Sequence, residues 1–110
     1  MIKKSLSQIK KTFLKPYIAR IDITGNIDHQ KTHQMIKSLK NLRTEGLKAI
    51  AITVNSGGGS AAQALIITER LNQFSKKHDI PLITYGQDSA LSAGYMILSN
   101  GNNIIFLFFI

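Results

Sequence analysis

The chain of 110 residues contains no cysteine. That absence excludes disulfides, thiolate zinc sites and a cysteine nucleophile, and it fits a reducing compartment. Nucleophilic and acid–base chemistry is left to serine, lysine and histidine. Acids are scarce: six Asp and Glu stand against 14 Lys and Arg, a formal net charge of +8. Five of those charges, Lys3, Lys4, Lys10, Lys11 and Lys15, fall in the first 15 residues, before any acid, which leaves +3 for the rest. The basicity belongs to the N-terminal arm, and this argues against a nucleic-acid-binding domain. No uninterrupted apolar stretch follows the lysines, so no secretory signal is read. The apolar run Ile104 to Ile110 is far too short to span a bilayer. A cytoplasmic protein is expected, with any membrane-surface contact left to the arm.

What is present is the composition of a globular domain, 44% hydrophobic and 18% charged, at a length that supports one core and not two. Residues 1–16 form the arm. Ile2, Leu6, Ile9 and Phe13 recur at spacings of three and four, which on a helix makes one apolar stripe flanked by lysines, and Pro16 ends it. Two readings stay open: a solvated helix packed on the domain, or a peripheral contact with an anionic membrane surface.

Residues 17–110 read as repeated strand and helix. Tyr17 to Ile23 alternates and is rich in strand formers, ending at Thr24-Gly25-Asn26. Asp28 can cap a helix from His29 to about Thr44, with Met35, Ile36, Leu39 and Leu42 on its buried face and Gly46 as its stop. Leu47 to Val54 is a nearly continuous apolar run, the pattern of a strand buried on both faces by helices. After Asn55-Ser56-Gly57-Gly58-Gly59, Ser60 can cap a helix from Ala61 to about Lys77. A third strand covers Leu82 to Tyr85, a serine-bearing turn follows, then a helix from about Ser92 to Ser99 and a last strand near Ile104 to Phe109. This order implies an α/β fold with a mainly parallel sheet, right-handed crossovers and helices on its faces. In such sheets chemistry gathers at the carboxyl ends of the strands, where both glycine- and serine-rich turns fall.

Without side chains, Gly57, Gly58 and Gly59 let a backbone N–H approach a ligand oxygen closely, beside the positive end of the next helix. Ser92, among Ala90, Ala93 and Gly94, sits where a substrate carbonyl has room. A nucleophile on one turn and N–H donors on the other are the minimum for acyl transfer, in which one oxyanion donor is worth about 2.7–4 kcal/mol. Each half alone has a plainer reading, a loop glycine or a helix cap, and only the pair raises the functional one. Gly57, Gly59 and Ala62 also fit a dinucleotide fingerprint, but the acid expected at the end of the next strand is missing: Asp79 comes before that strand and Asp88 late. A phosphate-binding P-loop is excluded because no lysine follows the glycines. His29 and His33 are four apart, yet no carboxylate completes an H-E-x-x-H pattern, so no metal is expected. Ser56, Ser60 and Ser89 read as loop and cap residues, and Tyr95 as the wall of the turn.

Ile52-Thr53-Val54-Asn55-Ser56-Gly57-Gly58-Gly59-Ser60 and Ala90-Leu91-Ser92-Ala93-Gly94-Tyr95 resemble the paired motifs N-S-P-G-G and A-A-S-G-G-Y of the signal peptide peptidase group. These are Ser-Lys peptidases of the SppA and SohB types, within the ClpP/crotonase fold. The likeness runs from about Tyr17 to Ile105. It implies Ser92 as nucleophile and the N–H groups of Gly58 or Gly59 with Ala93 as the oxyanion hole. Asn55, Ser56, Gly57 and Tyr95 would line the peptide substrate, and copies would assemble into a homo-oligomer, with no cofactor and no nucleic acid. Gly57 stands where the group has proline, and Ala93 where it has its first glycine. The group's general-base lysine lies several tens of residues after the serine. Here 18 residues follow Ser92 and none is lysine, while Lys48, Lys76 and Lys77 fall at solvated positions away from the turns. A serine needs a base to attack at neutral pH, so the expectation is a domain cut short before its base, by truncation or a shifted reading frame, with little proteolysis of its own. A non-catalytic peptide-binding or assembly module is the alternative, and a nucleotide-binding βαβ unit the outsider.

Overall fold

The computed structural model describes residues 15–106. The arm's proposed helix, and the last strand beyond Phe106, lie outside the described residues. Four strands, β1 Tyr17–Thr24, β2 Leu47–Ser56, β3 Leu82–Ala90 and β4 Asn103–Phe106, alternate with three helices, α1 His29–Lys40, α2 Ala61–His78 and α3 Ala93–Leu98. The sheet is parallel throughout, in the order β1-β2-β3-β4. Each strand therefore pairs with the next in sequence, and crossovers of one hand carry successive helices to the same side.

The core shows that side. Ala19, Ile21 and Ile23 of β1, Ile50, Ile52 and Val54 of β2 and Leu82 of β3 pack in one cluster with Met35 and Leu39 of α1, Ala64, Ile67 and Leu71 of α2, and Ile97 and Leu98 of α3. The opposite face of the sheet carries Arg20 and Asp22 paired to Ala51 and Thr53, and these to Ile83 and Tyr85. There Ile18 is 59% exposed, whereas Ile52, one strand over and facing the helices, is fully covered. The sheet is parallel and flanked by helices as expected, but α1, α2 and α3 gather over one of its faces, so among the described residues β2 is not covered by helices on both sides as its apolar run suggested: short crossovers between neighbouring strands carry each helix to the same side.

Three boundaries move. α1 stops at Lys40, not Thr44, because Asn41 caps it and Leu42 N–H turns back onto Leu39. Gly46 is then used elsewhere: with φ +79 it turns the chain into β2, and its carbonyl accepts the Tyr17 N–H at 2.9 Å, while the Tyr17 hydroxyl donates to the Arg43 carbonyl. β2 runs two residues further than Val54, to Ser56. β3 runs on to Ala90 through Gly86-Gln87-Asp88-Ser89, residues that read as a turn. Val54 pairs with Gly86 and Ser56 with Ala90, so four steps of β3 match two of β2 and the excess bulges out of the ladder. The helix caps are as expected: Asp28 accepts from Lys31 N–H at 2.8 Å and Ser60 from Gln63 N–H at 3.2 Å.

Candidate active site

The carboxyl ends of β2 and β3 bring the two turns together. After β2, the glycine loop is braced from the β1 side by Ile27, whose N–H donates to the Gly58 carbonyl (3.0 Å) and whose carbonyl accepts from Ser60 N–H (2.8 Å). A Cβ on Gly59, at φ +144, would run into the Ile27 backbone, so only glycine fits. Ile27 is fully buried and was not singled out from sequence. Its one signal is an isolated apolar residue just before the helix cap Asp28, the position of a hydrophobic staple.

After β3, Gly94 N–H donates to the Leu91 carbonyl at 2.9 Å and closes a four-residue turn with Ser92 at its second position. Ser92 has φ +51 and ψ −118, the dihedrals of the first central residue of a type II′ turn, which normally belongs to glycine. An L-residue held there stores strain of order 1–3 kcal/mol. Ser92 precedes α3 but makes no capping bond, so the cap reading of this serine fails and its exposed side chain is left to other uses.

The turns meet at Gly58. A Cβ placed there would lie 3.1 Å from Ser92 Cβ and 3.6 Å from Ser92 Oγ, so the loop backbone passes directly against the serine side chain. Ser56 ties the two together. Its carbonyl accepts from Leu91 N–H (3.0 Å) and Ser89 Oγ–H (3.2 Å), and its hydroxyl accepts from Gly58 N–H (3.1 Å) and lies 3.2 Å from the Gly58 carbonyl. A Cβ on Gly94 would stand 3.1 Å from both Ser56 Cβ and Ser56 O. The small residues around Ser92 thus allow α3 to approach the end of β2.

Among the residues singled out from sequence, Ser92, Gly58, Gly59 and Ala93 converge here. Ala93 is buried at the start of α3. Ser56, read as a substrate contact, is instead 1% exposed with its hydroxyl turned onto Gly58. Gly57 is exposed with open space where a side chain would stand, Tyr95 is exposed beyond the serine turn, and Asn55 is half-buried, its carbonyl taken by Gly25 N–H at 2.9 Å. His29 and His33 are exposed on α1, and no group of three metal-ligating side chains occurs among the described residues. Lys48, Lys76 and Lys77 are exposed at the opposite end of the sheet. Among the described residues no base hydrogen-bonds to Ser92.

One carboxyl is perturbed, and it lies on the open sheet face. Asp22 accepts from the Thr53 hydroxyl and from Arg20 Nε at 2.8 Å, which together hold its pKa below the usual 3.8.

The chain matches the family model described as Clp protease over residues 3–106. The chain belongs to the Clp protease family. Individual similarities are partial. The Na(+)/H(+) antiporter NhaA of Brucella melitensis is 37% identical over 57 residues, 52% of this chain and 8% of that protein, and NhaA of Brucella abortus matches to the same extent. An inferred protease of Synechocystis sp., slr0021, is 28% identical over 88 residues, 80% of this chain and 31% of that protein. The chain thus spans less than a third of the length of each of these relatives. For this Clp protease family chain, the described residues contain the glycine loop and the serine turn.

Proposed function

We propose that the chain carries the nucleophile and oxyanion half of a serine peptidase of the signal peptide peptidase kind, acting on signal peptides or other membrane-proximal peptides. Ser92 is the nucleophile; the glycine loop and the N–H of Ala93 receive the oxyanion. The observation that carries this reading is the contact of Gly58 with Ser92 on a turn whose dihedrals a serine adopts only at a cost. Strain kept at an exposed serine beside a closely approaching glycine backbone suits attack on a carbonyl, although the Gly58 N–H itself donates to Ser56 Oγ and would have to turn from it to reach an oxyanion.

In this mechanism Ser92 Oγ adds to the scissile carbonyl while its proton passes to a base. The oxygen that becomes negative is held by loop N–H groups and the Ala93 N–H. The base comes from outside the described residues, a lysine by the resemblance above, on a continuation of the chain or on a second copy in a homo-oligomer. No base reaches Ser92 among the described residues, so slow reaction of the isolated chain is expected. A fluorophosphonate probe tests this directly: the chain should label at Ser92, faster toward pH 9, and Ser92→Ala should abolish labelling. No labelling of the folded chain anywhere between pH 7 and 9 would leave the peptide-binding or assembly module as the better account.

A further inference from the structure

The C-terminal ends of α1 and α2, at the far end of the sheet from the serine turn, enclose a groove of about 380 Å³. α2 gives it one helix face, on which Arg70, Phe74 and Lys77 recur at spacings of four and three. Ile36 and Leu39 of α1 join Phe74 as its more covered residues, while Lys40, Arg70 and Lys77 stand exposed around them. The Phe74 ring lies against that of His78, with centroids 4.4 Å apart. The result is an apolar floor with a cationic rim.

The rim has no ion-pair partner among the described residues, and these hold all six acids of the chain: the ion pair present is Arg20–Asp22, on the open sheet face. Glu69 precedes Arg70, but successive residues of a helix do not face each other, and Glu69 lines a separate hollow with Asn72 and Asn100. Cations in the last turn offset the helix dipole, which gives Lys40 and Lys77 a local role. Arg70 lies two turns inside α2, beyond the reach of that account. What complements the whole groove is an apolar body that carries carboxylates on its flanks.

We propose that this groove docks an acidic amphipathic helix of a partner protein. A groove between two helices accepts a third when its apolar stripe lies along the floor. Arg70 and Lys77 are seven residues apart, two turns or about 10.5 Å along α2. A helix lying alongside meets both with carboxylates seven residues apart on one flank and Lys40 with a carboxylate on the other, its leucines at spacings of three and four between them. A second copy of the chain has no such helix to offer among the described residues, for α1 and α3 contain no acid and α2 only Glu69. Residues 1–14, with four lysines and no acid, carry the wrong charge to be the occupant. A nucleic acid would leave the apolar floor unused, since its affinity comes from phosphates and stacked bases. The inference stands apart from the peptidase reading, because the groove is remote from Ser92 and its occupant is not a substrate.

The probe is a fluorescein-labelled helical peptide of about four turns built from Leu, Ala and Glu, with Leu at spacings of three and four and Glu seven apart on both flanks. Titrated with the full chain and read by anisotropy, it should bind saturably in the micromolar range and less tightly as salt is raised. Arg70→Gln combined with Lys77→Gln should bind about tenfold more weakly, an exposed ion pair being worth a factor of up to about five. Lys10→Gln with Lys11→Gln in the arm, and Lys31→Gln on the first turn of α1, should bind as the parent does, with circular dichroism melts alike for all. Peptides with Ser in place of Leu, or Lys in place of Glu, should not bind. The inference is overturned by parental binding of the Arg70/Lys77 variant, by equal binding of either control peptide, by displacement of the probe with a stoichiometric single-stranded oligonucleotide, or by no saturable binding up to about 1 mM, an affinity worth only about 4 kcal/mol.

Discussion

Replacing Gly59 by alanine isolates what the glycine loop is for. Gly59 sits at φ +144, a conformation alanine adopts at a cost of order 1–3 kcal/mol. The new methyl would also meet the N, C and O atoms of Ile27, and this is backbone, which cannot rotate away as a side chain could. Displacing it adds an overpacking cost of about 1–3 kcal/mol and strains the two hydrogen bonds that Ile27 makes with Gly58 and Ser60. A loss near 4 kcal/mol is expected, out of a total of about 5–15 kcal/mol for a domain of this kind. In urea, with a slope of about 1.5 kcal/mol per M, the midpoint should fall by more than about 2 M. Gly57→Ala is the internal control: nothing lies within 4 Å of its Cβ position, and its φ is not in the left-handed range. It should stay within about 0.5 kcal/mol of the parent, as an unconstrained surface change does. If the two variants melt together, the loop is not braced by Ile27 and the argument is wrong.

Ser92→Gly should relieve the turn and raise stability by about 1 kcal/mol while removing all fluorophosphonate labelling; a variant less stable than the parent in the same urea titration would contradict the strain. Thr53→Val should bring the Asp22 pKa back up toward 3.8, read by carboxyl-carbon NMR. Because the folded-state pKa of Asp22 is depressed, the stability it contributes is present above 3.8 and lost as pH falls through the folded value. The gap between parent and variant should therefore close in acid. It should also be small, under about 1 kcal/mol, since Asp22 is more than half exposed. Ile67→Ala should cost about 2–5 kcal/mol, for its side chain is fully enclosed beneath α2, whereas Ile18→Ala on the open sheet face should cost under about 1 kcal/mol. Similar losses at both would mean that the second face is covered in solution.

Much of the scaffold was legible because it depends on local chemistry. The alternation of Tyr17 to Ile23, the apolar run Leu47 to Val54 and the caps Asp28 and Ser60 each specify their element through neighbours a few residues away. The pair of turns bearing Gly58, Gly59 and Ser92 could be read for the same reason: a strand that ends in glycines or small residues and reopens as a helix has few other meanings. The miss at Gly86 to Ala90 came from residues whose own preference is to turn and which the neighbouring β2 nevertheless holds in a bulged ladder. Gly46 looked like a helix stop until β1 claimed its carbonyl.

By itself the sequence determined an alternating strand–helix chain with a parallel sheet and a serine opposite a glycine loop, because periodicity, capping and backbone freedom act over a few residues. Only the tertiary structure decided that α1, α2 and α3 share one sheet face, that Ser56 turns inward to Gly58, and that Ile27 locks Gly59. Those outcomes depend on which strands become neighbours and at what register, and that is settled by burying side chains far apart in the chain, not by any one of them.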